Sequence, residues 1–182
     1  MIALQIIFWV CFALIFHSYL LFPAILNILG RNRKAPWDAY SGNELPSVSV
    51  LIPAYNEEKV IEEKINTLLG SDYPDGKLEI LVGSDASTDL TNYIIRRLEK
   101  SHPNLKVRLF ETRRGKPNVI NSLAGNAAGE ILVITDANVM LEAGTLKELV
   151  KYFKVPDIGL IDTRMINMHI KKEGISSQEK FY

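Results

Sequence analysis

Hydrophobic and polar positions divide this chain into two regimes. Ile2 to Leu29 is mostly Ile, Leu, Phe, Val and Ala, and residues 1–30 contain no Asp, Glu, Lys or Arg. A helix of that length would reach roughly 40 Å at about 1.5 Å per residue. The hydrocarbon core of a bilayer needs only about 30 Å. The run therefore predicts one transmembrane helix over residues 1–30. It makes a poor signal peptide, because it lacks a basic start, is too long, and has no small-residue cleavage site after it. The bland alternative is a buried helix of a soluble domain. His17, Ser18 and Pro23 interrupt the run. A membrane helix tolerates Pro where neighbours re-satisfy the freed carbonyl, and a lone His17 reads as a neutral residue packed on a neighbour.

Beyond residue 47 the pattern becomes short apolar runs separated by amphipathic stretches. Strands are expected at Val48–Ile52, Leu78–Gly83, Leu105–Phe110, Ile131–Thr135 and Ile158–Ile161. Helices are expected at Glu57–Leu69, Thr88–Lys100, Pro117–Ala128 and near Thr145–Phe153. Asn56 is a plausible N-cap for the first. Its apolar stripe is Val60, Ile61, Ile65, Leu68 and Leu69, and that of the second is Leu90, Tyr93, Ile94 and Leu98. Pro117 sits in a first turn, where its missing N–H costs nothing. Ile131 to Thr135 runs without a polar break, which reads as a strand buried on both faces. Alternating strands and helices predict an α/β fold: a mostly parallel sheet with helices on both faces, Rossmann-like, preceded by one transmembrane helix.

Charge adds orientation. Arg31, Arg33 and Lys34 follow the apolar run at once, so the positive-inside rule places this end in the cytoplasm. The chain reads as single-pass in the cell (inner) membrane. Residues 31–46 read as a basic linker, in which Trp37 and Tyr40 suit the membrane interface, and 47–182 as the soluble domain. The 182 residues carry zero formal net charge and no long basic block, which argues against nucleic acid as a partner. Cys11 is the sole cysteine, so no intrachain disulfide or cysteine-rich metal site is available. His17, His102 and His169 are scattered and show no metal-binding spacing.

Candidate chemistry gathers at strand ends. The first strand offers Tyr55, Asn56 and Glu57. The second offers Asp85, Ser87, Thr88 and Asp89. The fourth offers Asp136 and Asn138. Parallel strands bring such ends to one sheet edge, where open α/β sheets bind ligands. Each group alone is ordinary turn or cap chemistry. Three together suggest a cleft. No G-x-G-x-x-G follows the first strand, and Gly115-Lys116 lacks the earlier glycine of a P-loop.

Three ordered blocks carry a resemblance. They are Val48-Ser-Val-Leu-Ile-Pro-Ala-Tyr-Asn-Glu57, then Tyr73-Pro74 with Leu78-Glu-Ile-Leu-Val82 and Ser84-Asp-Ala-Ser-Thr-Asp89. The third is Gly115-Lys116, Asn121, Gly129-Glu130 and Ile134-Thr-Asp-Ala-Asn138. Over about residues 46–165 the chain resembles the family 2 glycosyltransferases, whose fold is called GT-A. The resemblance implies a UDP- or GDP-sugar donor, inverting transfer to a glycan or lipid-linked acceptor, and a place in cell-envelope polysaccharide synthesis. By position, Ala54, Tyr55 and Glu57 would line the nucleoside pocket and Asp85 would bond the base. Lys116 would lie near the donor. Asp136 would face ribose and diphosphate, and Asp136 and Asn138 would stand at the position of a divalent Mg²⁺ or Mn²⁺. A Tyr ring can stack on a base, a carboxylate can accept a ring N–H, and a divalent ion can offset charge on a departing diphosphate. Asn138 replaces the second carboxylate of the family's D-x-D motif, so metal affinity should fall. The family's acidic base and, in many processive members, a Q-x-x-R-W motif would come after the equivalent of Tyr182. The expectation is therefore a membrane anchor plus the donor-binding half of an enzyme, with the catalytic base unknown. The alternative is a non-catalytic nucleotide-sugar-binding membrane protein. A nucleotidyltransferase ranks last, for want of a glycine-rich basic loop after the first strand.

Overall fold

The computed structural model describes residues 2–31, 40 and 44–163. The chain divides into two compact units, Met1–Trp37 and Asp38–Tyr182. In the first, helix α1 (Ile2–Phe16) passes through a π turn (His17–Leu21) into α2 (Phe22–Gly30). Together they form one apolar helix of 29 residues, long enough to cross a membrane. The π turn has a local cause. Pro23 cannot donate a backbone N–H and its ring crowds the preceding turn. The backbone widens there, with Phe22 N–H reaching back to the His17 carbonyl. Arg33, Lys34 and Trp37, most of the expected linker, His169 and residues 164–182 lie outside the described residues.

Among the described residues the second unit is built on four parallel strands: β1 (Val48–Ala54), β2 (Leu78–Asp85), β3 (Leu105–Phe110) and β4 (Ile131–Ile134), in the order β3-β2-β1-β4. Val48 pairs with both Leu78 and Ile131, and Ala54 with Ser84. Strand order reverses at β1, so a crevice opens between the carboxyl ends of β1 and β4. Side-chain alternation supplies two cores. Val48, Val50, Ile52, Ile80 and Val82 pack with α3 (Ile61–Leu69), α4 (Thr91–Glu99) and α6 (Thr145–Val150) on one face. Leu51, Leu81 and Phe110 pack with Val119 and Leu123 of α5 (Lys116–Ala124) on the other.

Several boundaries differ from expectation. Ile131–Thr135 is not a strand buried on both faces. Among the described residues β4 is a sheet edge, and Leu132 and Ile134 are 44% and 56% exposed. They lie level with Ser49 and Leu51 on the α5 side, but α5 covers only Leu51 and its neighbours. Residues 158–161 form no strand. Ile158 N–H closes a turn onto the Val155 carbonyl, and Leu160 is exposed. Asn56 does not cap α3, which starts at Ile61 after Val60. The second helix begins at Thr91, not Thr88, and buries Thr91, Ile95 and Leu98. Leu90 and Tyr93 face solvent instead. The buried stripe is therefore Thr91, Ile95 and Leu98, and polar Thr91 is tolerated inside because its Oγ1 accepts Glu57 N–H at 2.8 Å.

Two glycines fix how closely the layers approach. A Cβ on Gly83 would meet Val119 Cγ1 at 2.5 Å and Leu123 Cδ1 at 3.2 Å. A Cβ on Gly129 would meet Ser49 N at 2.5 Å and Val48 C at 2.6 Å. At Gly129 the obstacle is backbone, and Ser49 Oγ is held there by donating to Glu79 while accepting Gly129 N–H. Overpacking costs typically about 1–3 kcal/mol. Gly83→Ala should fall in that range, because side chains can yield. Gly129→Ala should cost more. Denaturant unfolding of both variants, read by loss of domain structure, checks the order. Equal stabilities would contradict this account of the packing.

Candidate active site

The site is assembled from loops at the carboxyl ends of β1, β2 and β4 and from the start of α5. The β1 and β2 loops bind each other first. Asn56 N–H donates to Ser87 Oγ (3.1 Å), and Thr88 N–H to Asn56 Oδ1 (2.9 Å). Glu58 N–H donates to Asp89 Oδ2 (3.1 Å), while Leu90 N–H returns to Glu58 Oε2 (2.9 Å). Asn56 and Ala86 adopt left-handed backbone, with φ 55° and 57°. Such geometry costs a non-glycine residue about 1–2 kcal/mol, and the reciprocal bonds between the loops hold it. Asn56, Ser87, Thr88 and Asp89 thus serve loop architecture. Burial raises the Asp89 carboxyl, but hydrogen bonds from Thr91 and Glu58 outweigh it and hold it below its ordinary value.

Asp85 joins this pair of loops to α5. It is 4% exposed. Its two oxygens accept the backbone N–H groups of Arg114 (2.7 Å) and Gly115 (2.9 Å). Gly115 has φ 80°, a conformation glycine adopts without a side-chain clash. That turn starts α5 at Lys116. Lys116 Nζ then lies 2.5 Å from Asp136 Oδ1. The preceding Arg113 sets its guanidinium 3.5 Å from the centroid of the Tyr55 ring and 3.8 Å from Asp85 Oδ2.

Ala54, Tyr55, Glu57, Asp85, Lys116, Asp136 and Asn138, all singled out in the sequence, line one cleft of about 200 Å³. Arg113 lines it too and was not anticipated. The signal was the Arg113-Arg114-Gly115-Lys116 run, with two residues between it and the end of β3. Lys64 was also missed. It falls on the apolar stripe of α3 at the spacing Ile61, Lys64, Ile65, Leu68, and it is buried there. Its ammonium donates to Thr135 Oγ1 (2.9 Å) and to the Val139 carbonyl. Burial pushes Lys64 down to about 8, while the nearby Asp136 carboxylate acts the other way. Burial, with Asp136 and Asp89 nearby, raises Glu57 above its ordinary value.

The cleft offers a flat ring, a buried carboxylate, two cations and a carboxylate–amide pair. Such a set suits a ligand with a planar hydrogen-bonding end and an anionic end. Among the described residues no group of three or more His, Cys, Asp or Glu could hold a metal. Asp136 and Asn138 do offer two hard oxygen ligands, which fits a divalent ion whose remaining ligands are phosphate oxygens and water.

Comparison with known proteins shows the family of the chain. Residues 49–177 match the family described as Glycosyl transferase family 2. Beta-monoglucosyldiacylglycerol synthase of Nostoc sp. is 34% identical over 122 residues, covering 66% of this chain and 26% of the relative. Poly(ribitol-phosphate) beta-N-acetylglucosaminyltransferase TarS of Staphylococcus aureus is 34% identical over 122 residues, covering 65% and 21%. The chain therefore spans about a quarter of the length of these relatives. Among solved structures, the mannosyltransferase PcManGT of Pyrobaculum calidifontis, in complex with GDP-Man and Mn²⁺, superposes with a TM-score of 0.64 at 36% identity. That match covers 79% of this chain and 43% of that one. TarS residues 1–349 with UDP-GlcNAc give 0.52 at 36% identity, covering 56% and 29%. By family match, fold and strand-end motifs, this chain belongs to glycosyl transferase family 2, with a GT-A-like domain preceded by an apolar helix.

Proposed function

We propose that this chain forms the donor side of a membrane-anchored inverting glycosyltransferase. It would use a UDP- or GDP-sugar and a divalent Mg²⁺ or Mn²⁺, and would glycosylate a glycan or lipid-linked acceptor. The observation that carries the reading is the cleft itself: Tyr55, Asp85, Lys116, Asp136 and Asn138 converge at one sheet edge of a family 2 chain. The nucleoside would lie by Ala54 and Tyr55, with Glu57 on the rim. Two lone pairs on Asp85 serve Arg114 and Gly115. The others can accept a ring N–H from uracil or guanine. Support for either base comes from PcManGT with GDP-Man and TarS with UDP-GlcNAc. Support for an acceptor in the cell envelope comes from relatives named for diacylglycerol and poly(ribitol-phosphate).

A bound divalent ion would supply positive charge to the leaving diphosphate. Asp136 and Asn138 would hold it, and Lys116, already on Asp136, would turn to the phosphates. An exposed pair such as Lys116–Asp136 contributes about 0–1 kcal/mol to stability, so releasing it costs little. The base that takes the acceptor's proton would lie on the acceptor side rather than in this cleft.

Calorimetry on the full chain in detergent micelles, with UDP and GDP and with and without Mn²⁺, tests the reading. One nucleotide should bind, and Mn²⁺ should tighten it. With only one carboxylate in the Asp136–Asn138 segment, the ion should bind weakly to the free protein. Asp136→Asn should abolish the metal dependence without unfolding the domain. Asn138→Asp should strengthen Mn²⁺ binding before nucleotide is added. Binding of neither nucleotide would sink the proposal. Binding that persists in the intact membrane protein without transfer to any acceptor would favour a non-catalytic nucleotide-sugar-binding role.

The orientation is tested separately. In a Cys11→Ala background, Gly42→Cys should react in intact cells only with a membrane-permeant thiol reagent. Labelling by an impermeant reagent would reverse the proposed cytoplasmic placement of the domain.

A further inference from the structure

Lys64 is the least expected residue in the fold. It is 0% exposed, on a face of α3 that otherwise buries Ile61, Ile65 and Leu68. Taking an ammonium group out of water is expensive unless it is well paired. Leu or Met would fill the same space without that cost. The sequence does not need a cation here for packing.

What the ammonium touches is specific. Thr135 Oγ1 accepts one N–H at 2.9 Å, and the Val139 carbonyl accepts another. These two acceptors bracket Asp136-Ala-Asn138. Thr135 is the residue before that segment, and Val139 the residue after it. The segment itself turns back, with Val139 N–H donating to the Asp136 carbonyl at 3.3 Å. Thr135 N–H is tied to Leu51 on β1 at 3.2 Å, and Ala137 is buried against the core. Lys64 therefore connects both ends of the segment to a rigid helix from beneath. Its side chain lies on the protein side of Asp136, whereas Lys116 approaches from the cleft.

We propose that Lys64 is a positioning residue, a buried cation that sets the spacing and direction of the Asp136 and Asn138 oxygens toward the divalent ion. The inference rests on the reading of the cleft as a nucleotide–metal site. It extends that reading behind the ligands, because neither comparison nor motif assigns Lys64 a role. The physical logic is that of outer-shell partners, which orient ligands they do not replace. The electrostatics favour the same geometry, since the Asp136 carboxylate supports the charged form of Lys64 against its burial. A plain structural role predicts something different. If Lys64 only satisfied the Val139 carbonyl, its loss would change stability and leave the metal response alone.

The experiment uses the full chain in detergent micelles and the probes Mn²⁺ and UDP or GDP, whichever the wild type binds. Lys64→Met keeps the volume and removes the charge. Thr135→Val removes one acceptor at nearly constant shape and keeps the domain folded if Lys64→Met does not. The readout is the ratio of nucleotide dissociation constants without and with Mn²⁺, together with the Mn²⁺ paramagnetic resonance spectrum of the ternary complex. Loss of an outer-shell partner typically costs about 10–100-fold in metal affinity. Lys64→Met should therefore shrink the Mn²⁺-dependent gain by about tenfold or more and change the spectrum. Metal-free nucleotide affinity should stay nearly constant. Thr135→Val should act in the same direction, and the double variant should lose less than the two single losses combined. An unchanged ratio and spectrum in Thr135→Val and in folded Lys64→Met would overturn the role of Lys64. Failure of the wild type to bind either nucleotide would instead overturn the reading of the cleft.

Discussion

The buried carboxylate of Asp85 is the constraint on which the site depends. A carboxylate 4% exposed at the end of β2 needs hydrogen-bond partners. It finds them in two consecutive backbone N–H groups, Arg114 and Gly115. Those bonds fix the turn that leads into α5. Fixing the turn fixes Lys116 at the head of the helix, within reach of Asp136. It also lays Arg113 across the Tyr55 ring. One carboxylate thus relates three loops that are distant in sequence, and it does so with main-chain donors whose geometry does not depend on rotamers.

The sheet makes that economy possible. Parallel register brings the ends of β1 and β2 side by side at Ala54 and Ser84. The reversal of strand order at β1 leaves the end of β4 on the far side of a crevice. Charge is then arranged in depth. Lys64 lies buried under the Asp136 segment, Lys116 rests on it from the cleft, and Glu57 stands nearby with its carboxyl raised by burial and by its acidic neighbours. Cations and carboxylates thus alternate through the site. Lys116 occupies Asp136 through a pair exposed on both sides, which is inexpensive to exchange, and Arg113 covers the Tyr55 ring.

Much of this was legible in the residues. Short apolar runs located four strands, polar residues at the ends of three of them supplied Tyr55, Glu57, Asp85, Asp136 and Asn138, and the family resemblance supplied Ala54 and Lys116. The misses share a cause. Periodicity reports which residues are apolar, not which neighbour covers them. Ile131 to Ile134 looks doubly buried, yet β4 is an edge among the described residues. Leu90 and Tyr93 read as inward, yet Leu90 precedes the helix, its N–H held by Glu58, and the helix buries the face of Thr91, Ile95 and Leu98. Asn56 has the composition of a helix cap, but its left-handed backbone and bond to Thr88 make it a loop clasp. Lys64 and Arg113 were invisible because their roles come from tertiary neighbours. A lysine on an apolar stripe and a basic run after a strand become informative only once their partners are known.

The most direct measurement of the central claim is amide hydrogen exchange across residues 105–124 of the full chain, in wild type and Asp85→Ala. If Asp85 orders the turn, the Arg114 and Gly115 amides are protected in wild type and exchange at least tenfold faster in the variant, the equivalent of about 1.4 kcal/mol of lost protection. Protection in β2 and in the middle of α5 should persist. Unchanged exchange at Arg114 and Gly115 in the variant would contradict the account, and would show that the turn and the cleft assemble without Asp85.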